Sequence, residues 1–334
     1  MIHCFGLISL IAVPGVRNGF LRQRATVLMY HDLCRDEVDV EAWTIVRRAD
    51  FLRQVDYLRR HYELVSLDDA LGLLKDDGPR ARPLAVLTFD DGLAGNFDIL
   101  LPIIEHECIP VTIYVATSHI EDGRSYWFDR VVNALQTVQP VELDLAQFAL
   151  GRYRINDARG AGNWAQIQRL LSDLKQLPAD GQSAVVDHIE VAAAAIPRAV
   201  GAPLRPLSLE SMRRLAANRF VTIGAHSHCH TLLTRLPLEQ ATASIQRSRT
   251  LLQQWTGQPV EHFAYPSGAF DDALAQAVGD LGFRTAVTTE NGFWSKDTSL
   301  MKIPRIAVGR YDDSVAFRVN LLGGLRDFAR LALH

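Results

Sequence analysis

Leu84-Ala85-Val86-Leu87-Thr88-Phe89-Asp90-Asp91-Gly92 is the stretch that decides how this chain reads. Its first six residues are largely apolar without strict alternation, the pattern of a strand covered on both faces in a parallel sheet. The strand runs directly into two neighbouring carboxylates. Two such acids repel each other, and burial raises at least one pKa unless a cation neutralises them. Gly92 lets the chain turn away at once and leaves both acids at the strand tip. Asp-Asp-Gly is also an ordinary solvated turn, so a second cluster has to carry any functional reading.

Working outward, short runs of the same kind recur at Thr26–Tyr30, Glu63–Leu67, Val111–Ala116, Phe220–Ala225, Phe263–Tyr265, Thr285–Thr289 and Ile303–Val308. Between them lie helical periodicities. Phe51, Val55 and Leu58 share one face, as do Ile99, Ile103 and Ile104, and Leu274, Val278 and Leu281 before the stop signal Gly282. Strands alternating with helices imply parallel pairing through right-handed crossovers. Eight candidates at this spacing predict a β/α barrel rather than an open sheet. The stretch 121–207 breaks the rhythm, with helical patterns at Trp164–Leu177 and Gln182–Ala195 and no good strand. It reads as a helical insertion between two halves of one barrel, either a cap over the site or a packing appendage. The expected organisation is an apolar extension over residues 1–24, a first barrel half over 25–120, the insertion over 121–207, and a second half over 208–334.

Composition sets the outer bounds. With 334 residues, 48% hydrophobic and 22% charged, the chain is long enough to bury a core without disulfides. A formal charge of −3 argues against a nucleic-acid-binding face built on net charge. The four cysteines form no CxxC pair, which fits a reducing compartment, and a cytoplasmic location is expected. Residues 2–16 (IHCFGLISLIAVPGV) carry no Lys, Arg, Asp or Glu, and they leave membrane association or export open. That run is shorter than the roughly 20 residues of a spanning helix and has no basic n-region.

The second cluster is Ile223-Gly224-Ala225-His226-Ser227-His228-Cys229-His230, another strand ending in polar residues. If the chain makes one helical turn here, the imidazoles of His226 and His230, four residues apart, face one way. Two neutral imidazoles and one carboxylate form a facial set that leaves positions open for water, which suits a catalytic metal. Three histidines in five residues can equally be a surface feature. Two strand-end clusters with complementary ligand types are what make the functional reading.

Thr88-Phe89-Asp90-Asp91-Gly92 followed by His226-Ser227 and His230 resembles the polysaccharide deacetylases, carbohydrate esterase family 4. The likeness runs from Val27-Leu28-Met29-Tyr30-His31 to Arg305-Ile306, apart from the insertion. The resemblance implies a distorted β/α barrel of about seven strands. It also implies a hydrolase acting on carbon–nitrogen bonds other than peptide bonds, which removes N-acetyl groups from amino sugars of a polysaccharide or its precursor. Asp91, His226 and His230 become the expected ligands of one divalent ion, with Zn2+ first and Co2+, Ni2+ or Mn2+ as alternatives. Asp90 becomes the expected base toward the attacking water. The expected partner is an acetylated glycan.

Two departures from the family pattern matter. Ala264 stands in Phe263-Ala264-Tyr265-Pro266-Ser267-Gly268 where an Arg that pairs with the base is expected. Arg305, in Ile303-Pro304-Arg305-Ile306, is the candidate to supply that cation, and Arg305→Ala is expected to lower the rate without loss of fold. The family's late His is also missing, so His31 is the substitute candidate for the general acid, with a structural role as its alternative. Backbone N–H groups near Tyr265, Ser267 and Gly268 are candidates for the oxyanion. Tyr265, Trp127 and Trp294 are candidate sugar-stacking residues. Ser227 reads as orienting the histidines, and Cys229 as packed. Other readings keep the site and change its use: an amide or imide hydrolase, a glycan-binding pseudoenzyme, or iron-dependent oxygen chemistry.

Overall fold

The computed structural model describes residues 21–38, 42–76, 80–136, 140–155, 161–194 and 204–323. The apolar run 2–16 lies outside them. Among the described residues no helix is long and apolar enough to cross a membrane, and Cys34, Cys108 and Cys229 are free thiols.

The elements follow in chain order. Strand β1 (Arg24–Tyr30), β2 (Asp32–Cys34) and β3 (Ile45–Arg47) precede α1 (Arg48–His61), β4 (Glu63–Leu64), α2 (Leu67–Leu73) and β5 (Leu84–Phe89). Next come α3 (Leu101–Glu107), β6 (Val111–Val115), α4 (Thr117–Asp122) and α5 (Trp127–Ala134). The pair β7 (Val141–Asp144) and β8 (Arg152–Ile155) leads to α6 (Ala161–Leu174), α7 (Ala179–Ala194) and α8 (Leu209–Ala216). The chain closes with β9 (Val221–Ala225), α9 (Leu238–Thr256), β10 (His262–Ala264), α10 (Asp272–Asp280), β11 (Thr285–Val287), β12 (Trp294–Ser295), β13 (Ile306–Ala307) and α11 (Ser314–Gly323). Local chemistry supports the helices. Phe51, Val55 and Leu58 are buried on α1, whose last turn carries Arg59, Arg60 and His61 toward the negative helix end. Ser66 and Asp271 cap α2 and α10 by accepting from Asp69 N and Leu274 N.

Seven strands pair in parallel in the order β13-β1-β5-β6-β9-β10-β11, with β12 antiparallel to β1 and β4 parallel to β5. The sheet is curled, the distorted barrel expected. The stretch 300–307 carries it round. Ala286 N donates to Leu300 O and Ile303 N to Ala286 O on the β11 side, while Ile306 and Ala307 pair with β1 on the other.

Alternation along the strands then sorts the side chains. Ala25, Val27, Leu84, Val86, Tyr114, Ala264, Val287 and Ile303 share a small apolar cluster inside the curl. Leu28, Tyr30, Leu87, Phe89, Ile113 and Phe263 belong to the larger core under the helices. With a period of two, the inner row continues past the strand ends to His31, Asp90, His226, Thr289 and Arg305. Gly224 belongs to this row because a Cβ there would lie 2.4 Å from the Tyr114 ring.

The stretch 121–207 is not all helical. β7 and β8 form an antiparallel hairpin with Val141, Leu143, Tyr153 and Ile155 buried and Glu142–Arg154 and Asp144–Arg152 paired across the outer face. These side chains join α5, α6 and α7 in a separate apolar cluster. The chain returns beside the acidic loop, where Ala94 N donates to Arg205 O and Leu207 N to Gly92 O.

Candidate active site

Past the end of β5, Asp91 and Gly92 both take left-handed backbone conformations, φ 73° and 65°, and Asp90 and Asp91 meet different partners. Asp90 stays on the inner row and meets Arg305. The guanidinium donates from Nη1 to Oδ1 and from Nη2 to Oδ2, with further bonds to Thr88 Oγ1 (3.0 Å) and Thr288 O (2.8 Å). Burial works to raise the Asp90 carboxyl, but the charge and hydrogen bonds of Arg305 bring it below the usual carboxylate value. Asp91 is driven further down. Burial again opposes, and His230 and His226 outweigh it.

The His226–His230 segment is not a helical turn. It is a loop with Ser227 and His230 in the left-handed region, φ 61° and 54°, tied by His230 N donating to Ser227 Oγ at 3.1 Å. The result brings the two rings together all the same, 4.8 Å between centroids. One ligand atom from each of Asp91, His226 and His230 lies within 4.8 Å of the others. His226 and His230 present Nε2 to Asp91 Oδ1 at 3.4 and 3.3 Å. His226 Nδ1 lies 2.7 Å from Ala264 O and so carries the proton there. Its buried Nε2 is then a bare acceptor with no hydrogen-bond partner, facing a carboxylate oxygen. Three acceptors converging in a buried place fit a cation, and two imidazoles with one carboxylate fit a divalent transition ion. Burial lowers both imidazoles; for His226 the nearby carboxylates Asp91 and Asp90 reverse it, whereas for His230 burial prevails.

These residues open into a cavity of about 670 Å3 that His31, Asp90, Asp91, His226, His230, Ser267, Thr289 and Trp127 all line. That volume is in the range of small-ligand sites. His31 stands edge-on to Trp43 at 5.8 Å, and its Nδ1 is buried without a partner. His228 turns away, its Nδ1 2.9 Å from Thr117 Oγ1. Cys229 is exposed at the cavity wall and not packed as expected.

Three expected substrate-binding residues are corrected. Tyr265 is fully buried on the outer row, with its ring against Phe263 and Phe270 and its hydroxyl on Met301 O at 3.0 Å. Two-residue alternation puts it under the helices, away from the cavity. Trp294 is 1% exposed and pairs with Ala25 at the start of β1, the opposite end of the barrel from His31. Gly268 does not line the cavity; its N–H closes a turn on Tyr265 O at 2.8 Å, and the Tyr265 N–H is bonded to Val287 O. A Cβ on Gly268 would collide with Thr289, so the glycine serves that turn.

The site also uses residues that sequence reasoning missed. The Tyr126 hydroxyl donates to Asp91 O at 2.5 Å, and its ring lies edge-on to His230 at 5.1 Å beside Phe128 at 5.5 Å. From Tyr126-Trp127-Phe128 the sequence offered Trp127 alone, as a sugar-stacking candidate. Its role depends on where the insertion docks.

The sequence pattern described as polysaccharide deacetylase matches residues 77–286, more than half of the chain. A polysaccharide-deacetylase relative, YxkH of Bacillus subtilis (strain 168), is 26% identical over 102 residues, 30% of this chain and 36% of that protein. The chain therefore spans about a third of that relative's length. Among solved structures, the Streptococcus pyogenes deacetylase PplD in complex with acetate superposes with a TM-score of 0.57 at 16% identity, covering 89% of this chain and 97% of that one. IcaB from Ammonifex degensii gives a TM-score of 0.56 at 16% identity over 90% and 97%. At such identity these two superpositions speak to the fold.

Proposed function

The chain belongs to the polysaccharide deacetylase family, and from that premise we propose that it is a metal-dependent hydrolase removing N-acetyl groups from amino sugars of a polysaccharide or its precursor. The observation that carries this reading is the convergence of Asp91, His226 and His230 on one buried point beside Asp90. In this reading Asp91, His226 and His230 hold one divalent ion, Zn2+ before Co2+, Ni2+ or Mn2+. Such an ion, when bound, supplies Lewis acidity toward a water and toward the acetamide carbonyl.

The rest falls to the chain's own side chains. Asp90 accepts the proton of the attacking water, for which it must be ionised, and Arg305 keeps it ionised and fixes its plane. Arg305 thus takes the part of the cation missing at Ala264, reached from the strand end just beyond β11. The place of His31 on the wall of the same cavity supports it as the donor to the leaving amine. Ser227 holds the loop that presents His230. Ser267 and Trp127, both at the cavity wall, remain the candidates for the oxyanion side and for a sugar face.

The test is acetate release from N-acetylglucosamine oligomers, with Asp90→Asn and a chelated sample as controls. Asp90→Asn should cost about 10²–10⁴-fold in rate, and because it leaves the buried Arg305 without its counter-charge, the rate is read on the fraction that circular dichroism shows folded. Release that survives in Asp90→Asn, or a wild-type protein loaded with metal and inert toward every N-acetylated glycan offered, overturns the reading.

A further inference from the structure

The cavity wall beyond the catalytic floor is charged in one sense. Among the described residues its acids are Asp90 and Asp91 alone, and these are engaged with Arg305 and with the two imidazoles. Its other full charges are Lys175 and Arg235. Lys175 follows α6, whose Trp164 and Leu171 also face the cavity, and Arg235 ends the short helical turn Leu233–Arg235, five residues after His230. The Arg235 guanidinium donates from Nη1 to the Lys175 carbonyl at 3.1 Å, so the two cations stand together where the insertion meets the barrel. Neither side chain has a carboxylate partner among the described residues. Burial, and then the charge of Arg235, lower the Lys175 ammonium from its ordinary value. Lys175 is half-buried and Arg235 is exposed beside it, and two like charges held side by side favour an anion that joins them.

We infer that Lys175 and Arg235 bind an anionic group carried by the substrate, a carboxylate or a phosphate on the glycan adjoining the acetamido sugar. This deepens the deacetylase reading and rests on it. The arrangement makes the enzyme selective for an acidic glycan or a phosphate-bearing precursor over a neutral amino-sugar polymer. The planar fork of Arg235 suits either anion, and the ammonium of Lys175 adds a point charge that follows it.

The experiment compares three probes: neutral chitotetraose, an oligosaccharide alternating glucuronate with N-acetylglucosamine, and uridine diphosphate N-acetylglucosamine. Binding is measured by calorimetry at low and high salt, and acetate release is followed separately, for wild type, Lys175→Gln, Arg235→Gln and the double variant. At least one charged probe should bind about tenfold tighter than the neutral one at low salt, with the advantage shrinking at high salt. The double variant should lose that advantage through binding and KM, with kcat and the neutral probe unchanged. Which charged probe gains identifies carboxylate or phosphate. Equal affinity for charged and neutral probes in wild type overturns the inference, as does an equal loss for all probes in the variants. Charge-dependent binding that follows Lys175 and Arg235 without any acetate release upholds the anion site and overturns the deacetylase reading instead.

Discussion

Arg305 grips Asp90 through two parallel hydrogen bonds of 2.7 and 2.6 Å, with the two side chains 0% and 5% exposed. Removing one partner of a buried pair leaves an uncompensated charge, which costs about 3–5 kcal/mol. The sequence alone suggested that Arg305→Ala would slow the enzyme and leave the fold alone. The burial changes that expectation: Arg305→Ala should lose about 3–5 kcal/mol in urea unfolding as well as activity. Arg305→Lys should recover part of the stability and little of the rate, because an ammonium cannot match both carboxylate oxygens. A wild-type unfolding free energy in Arg305→Ala would show that the pair contributes nothing.

The three converging acceptors make a second prediction. Purified protein should carry about one divalent ion per chain, and Asp91→Ala and His230→Ala should carry none. Tyr126→Phe removes the donor on Asp91 O and should weaken the ion about tenfold in chelator competition while circular dichroism stays unchanged. Equal ion content in Asp91→Ala would remove that residue from the site.

The Asp/His half of this site was legible because it lies in contiguous motifs at strand ends, where Thr88-Phe89-Asp90-Asp91-Gly92 and His226–His230 carry both the strand signal and the converging carboxylates and imidazoles. The barrel was legible for the same reason, since parallel strands buried on both faces stand out as apolar runs. What a single sequence hides is the face on which a residue falls near a strand end. Tyr265 adjoins the inner-row Ala264, yet one step of alternation turns its ring under the helices. The hairpin of β7 and β8 was hidden differently. Its VELD and RYRI alternate apolar and charged residues over only four positions each, too short to stand out between long helical patterns. Tyr126 reaches Asp91 and Lys175 reaches the cavity by the docking of the insertion, which no local pattern records.

Trp294 and Trp127 separate packing from recognition. Trp294 fills the closed end of the barrel, so Trp294→Ala should cost about 3–5 kcal/mol of stability and leave KM unchanged in the protein that still folds. Trp127 is partly exposed on the cavity wall, and Trp127→Ala should raise KM about tenfold with little loss of stability. Denaturant titration and acetate-release kinetics on the same two variants check both halves. A raised KM in a folded Trp294→Ala would restore that residue to the substrate site.

The last prediction concerns pH. Asp32 is 2% exposed, and burial pushes it up to about 8 against the pull of hydrogen bonds from Leu33 N and Gly95 N. In the unfolded chain the same carboxyl titrates near 4. Between about pH 4 and pH 8 the folded protein therefore holds a proton that the unfolded chain has released. The stability this contributes is complete below about pH 4 and is lost as pH rises toward 8, with a slope of at most about 1.4 kcal/mol per pH unit. Asp129, buried with one carboxyl oxygen unpartnered and also raised, acts in the same direction. Asp32→Asn stays neutral at every pH and keeps an oxygen for the Leu33 N–H. Its unfolding free energy should therefore fall less steeply than that of wild type between pH 5 and pH 8, measured by urea titration at several pH values. Parallel curves for the two proteins would mean that Asp32 is ionised in the folded state, with its N–H donors outweighing its burial.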